Sequence, residues 1–183
     1  MPFIQGNLAG LWIFEPRVFE DERGYFFESY NHKVFVEATG FEGFFVQDNH
    51  SLSKFGVMRG IHFQKPPHAQ SKLVRVLRGT VLDVAVDLRQ GSLTFGKYQA
   101  IELSAENKKQ FFIPVGFGHA FVVLSQEAEV LYKCDNYYAP GYEGGIIYDD
   151  PDVGIEWSIN PKEMIVSGKD QGLGMLSEST GIF

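Results

Sequence analysis

From Lys72 to Asp135, short runs rich in Val, Ile, Leu and Phe recur about every ten residues, each closed by a turn signal. Lys72–Arg78 is followed by Gly79-Thr80, then Val81–Leu88, then Gly91-Ser92. Tyr98–Leu103 ends at Ala105-Glu106-Asn107, and Gln110–Pro114 enters the corner Val115–Gly118. His119–Leu124, a turn over Ser125–Ala128 and Glu129–Asp135 complete the series. Runs this short are the length of strands, and their regular spacing predicts an antiparallel sandwich or barrel. Lys72–Arg78 and Val81–Leu88 read as the clearest hairpin. In the second of these runs Leu82, Val84, Val86 and Leu88 alternate with Asp83 and Asp87.

The flanks fit the same class. The uncharged run Met1–Phe14 is broken by Pro2, Gln5, Gly6, Asn7 and Gly10 and lacks a basic start, so it reads as an N-terminal strand rather than a signal peptide. Asn7–Phe19 gives short extended pieces, Asp21–Gly24 a turn and Tyr25–Tyr30 an aromatic strand. Asn31–Thr39 predicts a helix, with Asn31 as cap, Val34 and Phe35 inward and Gly40 as stop. Phe44–Ser53 is extended, with Gln47, Asn49 and Ser51 on one face; such a polar face suits an edge strand or the wall of a wet cavity. Pro161–Val166 predicts a short helix, and the Gly-rich tail an irregular end. The 183 residues form one expected domain, 1–183, large enough for a sizeable core.

Charge and cysteine content exclude some functions. The formal net charge of -7 argues against nucleic acid as a partner. No stretch is long and apolar enough to span a membrane. Cys134 is the one cysteine, so no internal disulfide forms, and a reducing, cytoplasmic setting is the default.

The chemistry gathers in Met58–Lys72, which holds Arg59, His62, Gln64, His68, Gln70 and Lys72. A metal-binding cupin pattern needs His-x-His, then an acid, then a later His. Here His62 and His119 fill two places, Gln64 stands in the second His position, and the stretch beyond carries Lys72 rather than an acid. With about three protein ligands needed, these residues predict a site without metal. His62 is then free to act as a general base. Asp83, Asp87 and Asp170 are the candidate carboxylates to orient it. Lys72 is a candidate for an oxyanion or a phosphate, and Tyr132 for an acid. Arg59 and His62 have opposite parity on an ideal strand, so Gly60 between them is expected to host a bulge or mark the strand start. Tyr137 and Tyr138 are candidates to stack on a base or sugar.

Taken together, these residues resemble the dTDP-4-dehydrorhamnose 3,5-epimerase family. The likeness runs in order through Arg23-Gly24 with Phe26 and Glu28, Gln47-Asp48-Asn49, Arg59-Gly60-Ile61-His62-Phe63-Gln64 and Pro66-Pro67 with Gln70 and Lys72-Leu73-Val74. It continues through Asp83–Asp87, Phe112-Ile113-Pro114 with Gly116-Phe117 and His119, Tyr132, Asp149-Asp150-Pro151, and Ser167 with Lys169-Asp170. The segment after Asp170 departs from it, running Gln171-Gly172-Leu173-Gly174 without the usual proline. The resemblance implies an all-β cupin jelly roll with a few short peripheral helices. It also implies an isomerase without cofactor or metal that inverts C3 and C5 of dTDP-4-dehydro-6-deoxy-D-glucose, supplying rhamnose for cell-surface polysaccharide. It implies His62 as base oriented by Asp170, Tyr132 as acid and Lys72 as enolate stabiliser. Arg23, Phe26, Glu28, Gln47, Asp48, Asn49, Arg59, Lys72, His119, Tyr138, Glu143 and Lys169 would bind the sugar nucleotide. It implies a homodimer through the N-terminal strands. A single-carbon epimerase or a 3,4-ketoisomerase is the near alternative; a metal-dependent cupin oxygenase and a non-catalytic sugar-binding cupin are the distant ones.

Overall fold

A computed structural model describes residues 3–183. Two sheets face each other. The first runs, in spatial order, β1 (Phe3–Gln5), β2 (Trp12–Phe14), β10 (Gln110–Ile113), β7 (Lys72–Arg78), β12 (Glu127–Cys134) and β5 (Gln47–Lys54), all antiparallel. The second runs β13 (Glu143–Gly145), β6 (Val57–Gln64), β11 (Phe117–Val123), β8 (Thr80–Asp87) and β9 (Tyr98–Ser104), also antiparallel. A short β14 (Ile165–Val166) pairs parallel with the start of β6. A separate hairpin, β3 (Phe19–Asp21) with β4 (Gly24–Phe26), stands apart from both sheets. This is the expected all-β jelly roll, with few helices at its edge.

The predicted hairpin is not one. β7 pairs with β10 and β12, whereas β8 pairs with β11 and β9 in the other sheet. Gly79 is a corner at which the chain leaves one sheet for the other. Its φ is +74°, and a Cβ there would collide with the carbonyl oxygen of Glu127. Alternation along a strand reports which face is buried but not which strand lies beside it, so two adjacent runs looked like partners.

Other boundaries shift. The aromatic strand expected over Tyr25–Tyr30 is reduced to Gly24–Phe26, because its one partner strand is short. Phe44–Ser53 does lie at a sheet edge and becomes β5. Of the expected N-terminal strand, Met1 and Pro2 lie outside the described residues, and Phe3–Gln5 pairs with Trp12–Phe14. Helix α1 (His32–Thr39) forms as its caps predict: Asn31 accepts the Val34 N–H at 3.3 Å, and Gly40 closes it at φ +71°. It buries Phe35, while Val34 is only half-buried. Pro161–Glu163 makes a single 3-10 turn rather than a helix to Val166, because Ile165 and Val166 are drawn into β14. The tail is not irregular throughout: Ser167 caps a one-turn helix α2 (Gly168–Gln171), too short for any periodicity to announce.

Three apolar layers hold these parts. Between the sheets lie Val74, Val76, Val81, Ala85, Leu103, Phe111, Val123 and Val130. Helix α1 covers the outside of the first sheet with an aromatic cluster around Phe35 and Phe112. The C-terminal segment covers the outside of the second sheet, setting Ile146, Trp157 and Leu176 against Met58, Leu82, Val84 and Val122. β8 is therefore buried on both faces, and its acids point inward, not to solvent: Asp83 and Asp87 are both fully buried.

Buried acids must be fully hydrogen-bonded to be tolerated. Asp87 accepts bonds from the Arg89 guanidinium, the Arg89 backbone N–H, Ser92 and Thr94. Burial alone would raise its pKa, but these donors outweigh it and bring the group from 3.8 to about 2. The folded pKa lies below the unfolded one, so the stabilisation is full above pH 3.8 and is lost as pH falls toward 2. Replacing Asp87 with Asn should cost about 2 kcal/mol in urea denaturation at pH 7, from a shift of just under two pKa units. The gap to the parent protein should narrow between about pH 4 and pH 2.

Candidate active site

At one end the sandwich interior is apolar; at the other it opens into a cavity of about 570 Å³ lined by Asn49, Arg59, His62, Lys72, His119, Tyr132 and Asp170 among others. It runs into a second lobe of about 370 Å³ lined by Gln64, Gln70, Tyr138, Glu143 and Leu173. His62, Lys72, Tyr132 and Lys169 border both lobes. The two strands that cross the sandwich at this point explain why. On β7, Lys72 has the parity of the core residues Val74 and Val76, so it faces inward. On β12, Tyr132 and Cys134 continue the inward row of Ala128 and Val130. From the facing sheet, β6 supplies His62 and β11 supplies His119, directly opposite each other in register.

Arg59 joins them through a bulge. His119 and Phe121, two residues apart on β11, pair with His62 and Arg59, three apart on β6. The extra residue lets Arg59 and His62 share the inner face despite their opposite parity. Gly60 makes this possible: its φ is +123°, and a Cβ would fall 2.6 Å from both the Ala120 Cβ and the His119 carbonyl oxygen. Arg59 is steadied by its Nε–H donating to Ser53 Oγ at 3.0 Å.

The three candidate orienting acids separate cleanly. Asp170 pairs with His62 Nε2 at 2.7 Å, Asp83 with His119 Nε2 at 2.9 Å, and Asp87 belongs to the Arg89 network at the other end of β8. Asp170 is itself held in place. Its backbone N–H donates to Ser167 Oγ at 3.1 Å, and its second oxygen accepts the Gly60 N–H at 3.4 Å. Burial lowers the pKa of His62, the Asp170 carboxylate opposes this, and the charges of Lys72 and Lys169 add to the lowering. His62 is thus neutral at neutral pH, with a free basic nitrogen. Burial likewise raises Tyr132 and lowers Lys72. The Lys72 ammonium lies 5.8 Å from the centre of the Tyr132 ring, and the His119 ring centre 6.4 Å from it, so the walls stand within reach of one small ring.

At the rim, Lys169 and Glu143 form a two-pronged ion pair, both contacts at 2.9 Å. Gln47 accepts the Tyr138 N–H at 3.0 Å and so fixes the exposed Tyr138 beside the cavity. Gln64 is fully committed: its Nε2 donates to the carbonyls of His68 and Tyr137, and its Oε1 accepts the Ala139 N–H. A side chain clamped between two loops is a poor metal ligand, and Lys72 in a further slot repels a cation. The donor set does not fit a cupin metal.

Not every expected residue reaches the cavity. Asp48 points away from it, because its neighbours Gln47 and Asn49 take the inward positions, and it pairs with Lys133 at 3.0 Å on the outer surface. Arg23, Phe26 and Glu28 are exposed on and after the β3–β4 hairpin, with Arg23 bonded to Asp21 in its own turn and Glu28 to Asn31. Conversely, Ser51, Phe121, Ser167 and Leu173 line the lobes without having been singled out for a role. The inward row of β5 pointed to Ser51. Nothing in the local sequence pointed to Leu173.

Fold and cavity define the class: a cupin-like β-sandwich whose facing walls can take a proton from a bound molecule on one side and return it on the other, an isomerase. Comparison with known proteins narrows this. A family model described as dTDP-4-dehydrorhamnose 3,5-epimerase matches residues 5–178, and the chain belongs to that family. It is 53% identical over 171 residues to a dTDP-4-dehydrorhamnose 3,5-epimerase from Shigella flexneri, covering 93% of each chain. The crystal structure of dTDP-4-dehydrorhamnose 3,5-epimerase from Elizabethkingia anophelis superposes with a TM-score of 0.95 at 52% identity, covering 100% of this chain and 99% of that one. A dTDP-6-deoxy-D-glucose-3,5-epimerase from Legionella pneumophila, solved with dTDP-4-keto-L-rhamnose, gives 0.94 at 44% identity, covering 100% and 98%.

The dyad geometry has a direct consequence. Asp170 raises the pKa of His62 against its burial. In an Asp170→Asn variant the imidazole pKa should therefore fall further below 6.5. Its Nε2 and Nδ1 resonances, followed by pH titration in nitrogen-15 NMR, are the measurement.

Proposed function

We propose that the protein inverts C3 and C5 of dTDP-4-dehydro-6-deoxy-D-glucose to give dTDP-4-dehydro-L-rhamnose, the epimerisation step on the way to dTDP-L-rhamnose. The observation that carries this is the placement of a neutral, carboxylate-bound His62 and a protonated Tyr132 on opposite walls of one cavity, with Lys72 beside them. His62 takes the proton from the carbon next to the C4 ketone. The electron pair moves onto the ketone oxygen as an enolate. Tyr132 returns a proton to the other face of that carbon and the ketone re-forms; His62 then releases its proton to water, and Tyr132 regains one, through the open cavity. The same sequence at the second carbon flanking the ketone completes the reaction. No redox partner enters this balance, because the ketone is regenerated.

Magnitudes assign the harder task. A C–H beside a ketone is on the order of ten pKa units weaker as an acid than imidazolium, on the order of 14 kcal/mol. The base alone does not supply that. The Lys72 ammonium, desolvated beside the forming oxyanion, is the group placed to lower it. Arg59 and Lys169 are the cations for the diphosphate, and Tyr138 is the aromatic surface for the thymine. With Gln64 clamped and Lys72 charged, we assign the reaction no metal and no cofactor. The single cysteine fits work in the reducing cytoplasm.

Arg23, Phe26 and Glu28 have a role on this reading only if another chain uses them. We propose a homodimer associating through the N-terminal strands, in which the exposed β3–β4 hairpin of one protomer reaches the partner's cavity.

Two experiments test this. In heavy water the enzyme should place deuterium at C3 and C5 of the substrate. His62→Ala should abolish exchange at both carbons, while Tyr132→Phe should keep measurable exchange but lose inversion by about a hundredfold or more. Exchange at one carbon only would mark a mono-epimerase, and migration of the keto group a ketoisomerase. In the second experiment, a weakly active Arg23→Ala chain and an inactive His62→Ala chain are co-expressed. Mixed dimers should regain activity, since one of their two cavities has an intact His62 and receives an intact Arg23. No recovery would remove the shared-site arrangement.

A further inference from the structure

Leu173 is an apolar side chain with no place in the apolar core. It is half-buried, yet it packs into none of the three clusters that hold the fold together. It instead lines the second lobe, together with His62, Lys72, Tyr132 and Tyr138. The other groups there are polar or aromatic. Phe63 also borders the lobe, but its ring packs against Phe183 in the layer behind the wall. Among the described residues, Leu173 is thus the one aliphatic side chain of that lobe.

Its position is fixed from both sides. The Leu173 N–H donates to the carbonyl of Asp170, the acid bonded to His62. The next residue, Gly174, pairs with Ile146 and accepts the Ile147 N–H at 2.9 Å. The space is kept for it: a Cβ on Gly145 would meet the two Leu173 methyl carbons at 2.7 and 2.8 Å. A rigidly held leucine three residues past the acid that orients the base belongs to the binding surface, not to packing.

We infer that Leu173 is a specificity-determining residue that receives the methyl carbon C6 of a 6-deoxyhexos-4-ulose. This inference rests on the function proposed above and deepens it. The methyl is bonded to C5, one of the carbons His62 would deprotonate, so the group that seats the methyl also sets the C5–H against the base. The polar walls hold hydroxyls and the ketone; an aliphatic wall among them is complementary to the one ring substituent that makes no hydrogen bond. Losing one such methyl contact in a fitted apolar site costs about ten- to two-hundredfold in kcat/KM.

The test compares solvent-deuterium exchange at C3 for the dTDP-linked 6-deoxyhexos-4-ulose, for the matching pentos-4-ulose, which lacks C6, and for the deoxyuridine diphosphate ester of the hexose. The parent protein should prefer the hexose over the pentose by about tenfold or more. Leu173→Ala should reduce that preference to within about threefold, with its melting temperature checked for an intact fold. Leu173→Asn, similar in length but polar, should do the same and serves if the Ala variant unfolds. Equal loss on hexose and pentose would mean a structural role and overturn the inference. A change in the thymine-to-uracil preference with the hexose preference intact would also overturn it, by placing Leu173 against the base. Undiminished preference in folded variants would overturn it while leaving the proposed reaction standing. Absence of exchange with any substrate in the parent protein would overturn both.

Discussion

The close approach of β6 to β11 at Gly60 is the constraint from which the site follows. No side chain fits between Gly60 and the His119–Ala120 backbone, and the strand takes up one extra residue there. A regular strand would send either Arg59 or His62 to the outer face, into the layer packed under the C-terminal segment. The bulge turns both inward. The same Gly60 offers its N–H to Asp170, so the distortion that aims His62 also helps hold the acid that orients it. Bulges beside functional sites are a recurrent way of redirecting side chains, and here one glycine does this for a cation and a base together.

The sandwich interior is divided along its length. One half is filled by Val, Leu and Phe, as in any β-sandwich. The other half carries Lys72, Asp83, His119, Tyr132 and Asn49 on the same inward-facing rows. Such a surface is costly to desolvate unless its polar groups pair or serve a ligand. Asp83 and His119 pair with each other, and Asp170 pairs with His62. Among the described residues the Lys72 ammonium and the Tyr132 hydroxyl have no hydrogen-bond or ion-pair partner, which makes them the two groups available to a developing oxyanion and a carbon awaiting a proton on the proposed reading. Burial keeps the phenol protonated; it also lowers the lysine pKa, and a desolvated ammonium gains most when an oxyanion forms beside it.

Much of the arrangement was legible in the chain itself. Ten-residue spacing announced a β-sandwich, Asn31 and Gly40 bounded helix α1, and the inward polar face of β5 was visible as Gln47, Asn49 and Ser51. Gly60 was marked as the place for a bulge by the clash of parity between Arg59 and His62. The hairpin over Lys72–Leu88 was misread because alternation carries no information on strand neighbours. The tail was misread for a related reason: α2 is a single turn held by one serine cap and by contacts with distant strands, and such a segment has no periodicity of its own.

Local chemistry alone therefore determined the fold class and most of the side chains that could move a proton, because strand period, turn residues and residue type are written in adjacent positions. Tertiary structure alone decided the pairings. By spacing Asp83, Asp87 and Asp170 were equal candidates and only the resemblance named Asp170; it is the packing of α2 against β6 that brings Asp170 to His62, while β8 carries Asp83 to His119. It also showed that Arg23, Phe26 and Glu28 stand outside their own chain's cavity, and that Leu173 stands inside it. Each of these facts joins residues far apart in the chain, and a distance of that kind is fixed by which surfaces are buried together, not by what lies next along the backbone.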